Sequence, residues 1–139
     1  MSKSRLLIVG SFPDDNNKII GGIAKSCELL LKSKELSEFE IITFDSSQKS
    51  NPPPIFLFRL YNALYRLVKF PVVLLKESPS SVLIFCSAGP SAIEKGIMIL
   101  IARILNIPGI IFPRAGKLIH QTKQSKLFLK IIKFLFNKA

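Results

Sequence analysis

Two adjacent glycines, Gly21 and Gly22, follow the first apolar segment of the chain and open a helical pattern. Backbone N–H groups at a helix start without side chains can approach a phosphate closely, and the helix dipole adds positive potential. Lys25 lies one turn further on. These three residues form a candidate loop for a donor phosphate, although an ordinary loop-to-helix turn has the same pattern. The GxGxxG and GxxxxGK[ST] motifs are absent, which weakens dehydrogenase and NTPase interpretations.

Arg114 and His120 are the weak candidates for catalysis. Arg114 directly follows the fourth apolar segment, where a guanidinium suits a phosphate or a carboxylate. His120 is the single histidine of the chain, and histidine is the natural acid or base near neutral pH. Either side chain could instead be an ordinary solvated surface group.

Small and polar residues also follow the apolar segments, and they are candidates for contact with an acceptor. The set comprises Asp45, Ser87, Gly89, Arg114 and Gly116. Asp45 is the best-placed carboxylate, because the acidic residue that binds a ribose in Rossmann folds occupies a similar place. Asp14 and Asp15 are a second choice. We predict no metal site, since two cysteines and one histidine cannot supply four zinc ligands.

Short apolar segments alternate with helical patterns along the chain. Strands are predicted at 6–9, 41–44, 82–85 and 110–112, and helices at 21–34, 55–75, 91–105 and 125–137. The order predicts an α/β fold, a Rossmann-like parallel sheet flanked by helices. Ligands of such sheets bind beyond the carboxyl ends of the strands, so the candidate residues are expected at one edge.

Individual residues add detail to the predictions for the second and third helices. Pro71 is expected to kink or split the second helix. Ser91 and Glu94 have the spacing of a capping box at the start of the third. The sequence continues through Pro113 into a turn and then the closing helix.

Length and charge limit the class of protein. The 139 residues suffice for a single domain, and the formal net charge of +11 favours anionic partners such as phosphate groups, nucleic acid or an acidic membrane. No apolar run reaches the ~18–20 residues of a bilayer span. Cys27 and Cys86 do not form a disulfide framework. We therefore expect a cytoplasmic protein that contacts a membrane peripherally, at its inner face.

The closing helix has two interpretations. Lys126, Lys130 and Lys133 form a basic stripe among apolar side chains, which is typical of an interfacial helix. A core helix whose lysines extend to solvent has the same pattern, and the sheet needs cover. The segment 56–70, which adds Tyr61 and Tyr65, has the same two interpretations.

Three stretches resemble the N-terminal half of a family 4 glycosyltransferase with the two-Rossmann (GT-B) fold. They are LLIVGSFP with IIGGIAKSCELLLKS, VLIFCSAGPSAIEKGIMILIARILNIPGIIFP, and PRAGKL. The resemblance covers residues 5–137. It implies transfer of a sugar from a nucleotide-sugar, bound as a substrate with no further cofactor, to a glycan or lipid-linked acceptor.

The resemblance also implies roles for individual residues. Gly21 and Gly22 would lie near the donor phosphates across the interdomain cleft. Arg114 would take the place of an active-site histidine found in many members, although Ala115 is an extra residue before Gly116.

The N-terminal half of such enzymes mainly binds the acceptor, while the C-terminal half holds most of the donor. That second half is missing from the 139 residues. We therefore expect a truncated product or one part of a split enzyme, with a second chain supplying the donor side and little activity alone. The alternative is a basic module without catalysis that binds nucleic acid or an anionic membrane. The nucleic-acid version rests on charge alone, because no zinc finger or RNA-recognition aromatic cluster is present.

Overall fold

The computed structural model describes residues 3–12, 21–47 and 55–137. Within these ranges lie four strands and five helices, with one short 3₁₀ helix at Lys34–Glu38. The strands are β1 (Ser4–Gly10), β2 (Phe39–Asp45), β3 (Ser81–Cys86) and β4 (Gly109–Pro113). The helices are α1 (Gly22–Leu31), α2 (Phe56–Glu77), α3 (Pro90–Ile104), α4 (Gly116–Gln124) and α5 (Lys126–Phe136).

The described strands form one parallel sheet in the order β2-β1-β3-β4. The α/β, Rossmann-like prediction is confirmed. The chain first moves outward from β1 to β2 and then returns past β1 to β3. The two sides of the sheet therefore diverge between β1 and β3, and such a switch point leaves a crevice at the carboxyl edge. Register brings Gly10 beside Asp45 and Cys86 beside Pro113 at this edge.

Successive residues of β1 pack on opposite faces of the sheet, as the pleat requires. Leu7 and Val9 belong to a large cluster with residues of α2 and α3. Ile8 belongs to a smaller cluster with Cys27 of α1 and Phe85. Both faces of β1 are thus covered, which explains why the strand is apolar along its whole length rather than alternating.

Helix α2 runs without a break through Pro71 for 22 residues, so the predicted split is wrong. The missing proline N–H removes one hydrogen bond of the helix, and the buried side chains of Phe70 and Leu74 hold the helix on either side of it. The helix spans about 33 Å at 1.5 Å per residue.

The start of α3 also differs from the prediction. Gly89 is the N-cap and Pro90 the first helical residue, with no side-chain cap. The capping-box prediction for Ser91 and Glu94 is wrong, because the Glu94 carboxylate binds Arg66 and Lys95 instead.

The turn predicted after Pro113 is followed by a helix, α4, that the sequence analysis missed. Its mean hydropathy is low and its apolar positions are few, so the periodic signal was weak. Within the described ranges, no helix has both the length and the apolar composition needed to cross a bilayer.

Candidate functional site

A cleft of ≈ 550 Å³ opens at the carboxyl edge of the sheet. Its walls are the start of α1, the loops after β1, β2 and β3, the first half of α2 and the start of α3. Four of the predicted site residues line it: Gly21, Gly22, Ser87 and Arg114. The structure therefore brings the two candidate phosphate-binding elements, which are more than ninety residues apart in sequence, to one cleft.

The start of α1 presents an open backbone to this cleft. Gly21 is the N-cap in an extended conformation, and its carbonyl accepts the N–H of Lys25 at 3.1 Å. A Cβ added at Gly21 or Gly22 would meet no atom of the described residues within 4 Å. Neither glycine is required by its backbone conformation or by packing against residues 3–12, 21–47 and 55–137, which leave the space beside both open to a ligand.

Lys25 is placed differently from the two glycines. It is exposed on α1, and its ammonium donates to Glu28 Oε2 at 2.9 Å. Glu28 also accepts from Lys32 at 2.7 Å. The hydrogen bond from Lys32 and then that from Lys25, together with the charges of both lysines, lower the pKa of Glu28 to about 2. Lys25 is not among the residues that line the cleft.

Asp45 joins the loops that follow β1 and β2. One carboxylate oxygen accepts the N–H of Phe12 at 3.1 Å and that of Ser47 at 3.0 Å, and the other accepts the Ser47 hydroxyl at 2.8 Å. Ser46 donates from its N–H and its hydroxyl to the carbonyl of Gly10. Asp45 thus holds the loops after β1 and β2 together. Ser46 and Ser47, in the second of these loops, line the cleft.

Gly89 lies in the turn between β3 and α3, with a φ of +67° that disfavours any L side chain. Its N–H donates to Gln121 Oε1 of α4 at 2.7 Å. Gly89 itself is buried, and its neighbours Ala88 and Pro90 line the cleft. The bond from Gly89 holds α4 against this turn.

Arg114 is held at the exit of β4 through its backbone. Its N–H donates to the carbonyl of Cys86 at 2.8 Å. The guanidinium lies over the Phe112 ring, with Cζ 6.0 Å from the ring centroid. This cation–π geometry supports the planar group while its side chain stays exposed beside the cleft.

Gly116 and His120 lie away from the cleft. Gly116 lines a separate apolar hollow of ≈ 540 Å³ between α4 and α5, which Arg114 also borders. His120 is an exposed residue of α4 and lines neither cavity. The sequence analysis placed it in a loop, because α4 was not predicted.

Four charged residues of the cleft were not predicted as site residues: Arg59 and Arg66 of α2 and the α3 neighbours Glu94 and Lys95. Arg66 donates from Nε to Glu94 Oε1 at 2.7 Å and from Nη2 to Oε2 at 3.0 Å. Lys95 Nζ donates to Glu94 Oε1 at 3.1 Å. The side chains of Lys95 and Glu94 are only 4% and 8% exposed. An adjacent Glu-Lys pair inside an apolar helical pattern was the available signal.

The pKa values of this cluster follow from its burial and its charges. Burial alone would raise the pKa of Glu94, but hydrogen bonds from Arg66 and the charges of Lys95 and Arg66 hold it below 4.5. Burial lowers the pKa of Lys95, and Glu94 opposes that shift. Glu94 is therefore a paired carboxylate with occupied lone pairs, which is unsuited to act as a general base at neutral pH.

The cleft has a positive balance of charge. Among the described residues that line it, Arg59, Arg66, Lys95 and Arg114 are cationic, and Glu94 is the single carboxylate. The hydroxyls of Ser11, Ser87 and Ser91 add neutral donors, whereas those of Ser46 and Ser47 also line the cleft but already donate to Gly10 and Asp45. Cations and hydroxyls of this kind bind phosphate or carboxylate groups.

The two thiols offer no nucleophile. Burial raises the pKa of Cys86 to about 11 and also raises that of Cys27. Both remain protonated thiols at neutral pH. Within the described part of the chain, no group of three or more His, Cys, Asp or Glu side chains could hold a metal ion. What the cleft can do chemically is bind and orient an anionic ligand.

Comparison of the chain with protein-family models, with curated proteins and with solved structures finds no match.

Proposed function

We propose that this domain is the acceptor-binding, N-terminal half of a glycosyltransferase that uses a nucleotide-sugar. The observation that carries the proposal is that Gly21-Gly22 and Arg114 line one cleft at the carboxyl edge of a parallel sheet. This is where the resemblance requires the donor phosphates and the active-site turn to meet. If Gly21-Gly22 and Arg114 lay at opposite edges of the sheet, they would not line a common cleft.

The charge of the cleft supports the same function. Sugar transfer from a nucleotide-sugar releases a nucleoside diphosphate, and donors that stabilise its developing charge favour the reaction. The open start of α1 supplies backbone N–H groups and the positive end of a helix dipole. Arg114, which lines the same cleft, supplies a planar guanidinium supported by the ring of Phe112.

In this proposal the domain binds and orients, while a second Rossmann domain supplies most donor contacts. The described residues do not enclose the cleft, and in this proposal the second domain closes it. Water would compete with the acceptor for the donor sugar in an open cleft. The 139-residue chain alone should therefore bind phosphate-bearing ligands weakly and transfer sugar at a negligible rate.

Calorimetric titration with UDP-glucose and with pyrophosphate tests the proposal. We expect weak, saturable binding of both by the intact chain. Arg114→Ala should weaken binding by about tenfold, because one charge-assisted pair is lost. Lys117→Ala is the matched control, since Lys117 is an exposed cation nearby that does not line the cleft. It should bind like the unmodified chain.

Two results would contradict the proposal. Absence of binding by the folded chain, or equal losses in Arg114→Ala and Lys117→Ala, would mean that the cleft is not the site. Sugar transfer by the 139-residue chain alone would mean that donor chemistry does not need a second domain. Binding of random duplex DNA with a steep salt dependence, and none of nucleotide-sugar, would favour the nucleic-acid alternative.

A further inference from the structure

The outer face of α2 is apolar and uncovered along nearly its whole length. Eight large apolar or aromatic side chains on this face are each more than half exposed: Leu57, Phe58, Tyr61, Leu64, Tyr65, Val68, Val72 and Leu75. We call this set the α2 outer face. At 100° per residue the eight positions fall within an arc about 120° wide. Exposed apolar patches of such extent on a water-soluble surface mark an interaction site.

The opposite side of α2 explains why the helix folds where it does. Phe70 and Leu74 are fully buried in the main core, with Leu67 and Val73 packed against it. Arg66 reaches from the same helix to Glu94 of α3. The α2 outer face is therefore additional to the apolar surface that the core uses, and the fold leaves it without a partner among the described residues.

Charge identifies the class of partner. Lys69 and Lys76 border the α2 outer face and are exposed, and α2 has no acidic residue before Glu77, its last. Glu77 lies 3.6 Å from Arg5, which offsets its charge. Apolar side chains edged by lysines match the interface of an anionic lipid bilayer.

A second copy of the chain fits this face less well. Two copies would bring together lysines of the same sign, each on a chain with a formal net charge of +11. No glutamate on the α2 outer face could form the interhelical ion pairs that direct helix pairing. The arc is also wider than a coiled-coil seam.

We propose that the α2 outer face is a membrane-binding surface, which lies in the interface of an anionic bilayer with its apolar side chains among the lipid chains. Tyr61 lies at the centre of the arc and Tyr65 towards its Lys69 edge, so both rings enter the bilayer interface, where an aromatic ring with a polar tip is favoured. This surface is separate from the cleft and does not depend on what the cleft binds.

Vesicle flotation tests the proposal with the intact chain. It should float with vesicles of equal parts phosphatidylcholine and phosphatidylglycerol, and bind phosphatidylcholine vesicles at least about tenfold more weakly. Leu57→Gln with Val68→Gln should reduce binding to the anionic vesicles by about tenfold or more. The control is Leu29→Gln with Leu31→Gln, which removes two exposed leucines from α1 and should bind normally.

The tyrosines give a second, independent readout. Tyr61 and Tyr65 are the only tyrosines of the chain, which has no tryptophan. Its intrinsic fluorescence therefore reports on the α2 outer face alone. We expect acrylamide to quench this fluorescence freely in solution and several-fold less in the vesicle-bound state. Circular dichroism establishes that each variant is folded before its binding is compared.

Three results would overturn the proposal. One is equal binding by the α2 and α1 double variants. Another is loss of binding in Lys126→Gln with Lys130→Gln while the α2 double variant binds normally, which would assign the membrane contact to α5. The third is a dimer in sedimentation equilibrium that the α2 double variant dissociates, since the α2 outer face would then be an interface between copies.

Discussion

Glu94 holds two cations inside the helical layer, and its removal tests how much that arrangement contributes. Glu94→Gln leaves the buried Lys95 and the partly buried Arg66 without a countercharge, so we expect a loss of about 3–5 kcal/mol in the free energy of unfolding. Lys95→Met removes one buried cation but keeps the bidentate pair of Arg66 and Glu94. It should change stability by less than about 1 kcal/mol. Urea unfolding measures both, and equal losses would contradict this account.

The same carboxylate predicts a pH dependence. The pKa of Glu94 is below 4.5 in the folded state, so the folded state binds fewer protons than the unfolded one in that range. The ionised carboxylate stabilises the fold at a pH above its pKa in the unfolded state. This stabilisation is lost as the pH falls through its pKa in the folded state. The stability gap between the wild type and Glu94→Gln should therefore narrow in urea titrations below pH about 4.5. A difference in unfolding free energy between the wild type and Glu94→Gln that grows as the pH falls would contradict this prediction.

Cys27 and Cys86 should resist alkylation in the folded protein. Both thiols are buried, and burial raises their pKa, that of Cys86 to about 11. Iodoacetamide reacts with the thiolate, which is scarce under these conditions. Mass spectrometry should find both unlabelled at neutral pH, and both labelled after addition of urea. Labelling of the folded chain at the denatured rate would contradict the burial of these strands and helices.

At the scale of elements, the close packing of α3 and α5 depends on one small residue. A Cβ at Gly96 would lie 2.7 Å from Leu135 Cβ and 2.8 Å from its Cδ1. Gly96→Ala must push the helices apart, and we expect it to cost about 1–3 kcal/mol in thermal or urea unfolding. Gly116→Ala is the matched control, since its Cβ would meet nothing within 4 Å. A neutral Gly96→Ala would show that the two helices are not closely packed.

The elements that could be predicted were those with strong periodicity. The apolar runs of β1 and β3 and the period of α1 and α3 determined the parallel α/β order. Helix α4 could not be predicted, because it is short and polar and is held by a tertiary bond from Gly89 to Gln121. Pro71 was overestimated as a breaker, because the buried side chains Phe70 and Leu74 stabilise the helix around it.

For the candidate site, strand-end geometry was sufficient to predict that Gly21-Gly22, Ser87 and Arg114 would meet. Local spacing was misleading for Glu94, since a capping-box pattern cannot reveal that Arg66 approaches from another helix. The exposure of the α2 outer face was equally inaccessible, because an apolar helix has the same sequence pattern whether its second face is covered or not.

At the scale of the whole molecule, the sheet ends on an apolar surface. Among the described strands, β4 pairs only with β3, and Ile110 on its open face is 64% exposed. Uncovered edge strands favour association.

Ile110→Thr should lower light scattering at high concentration while changing the free energy of unfolding by less than about 0.5 kcal/mol. Leu29→Thr, an exposed residue of α1, is the control. Equal light scattering by the wild type and Ile110→Thr would show that β4 does not promote association.

The central claim is that the start of α1, the end of β3 and Arg114 after β4 line one phosphate-binding cleft. Nuclear magnetic resonance of the ¹⁵N-labelled chain, titrated with pyrophosphate and then with UDP-glucose, tests it directly at the backbone. The account predicts saturable shifts of the amide signals of Gly21, Gly22 and Ser87, and their loss in Arg114→Ala. Shifts confined to the lysines of α5, or none at any concentration that leaves the chain folded, would contradict it.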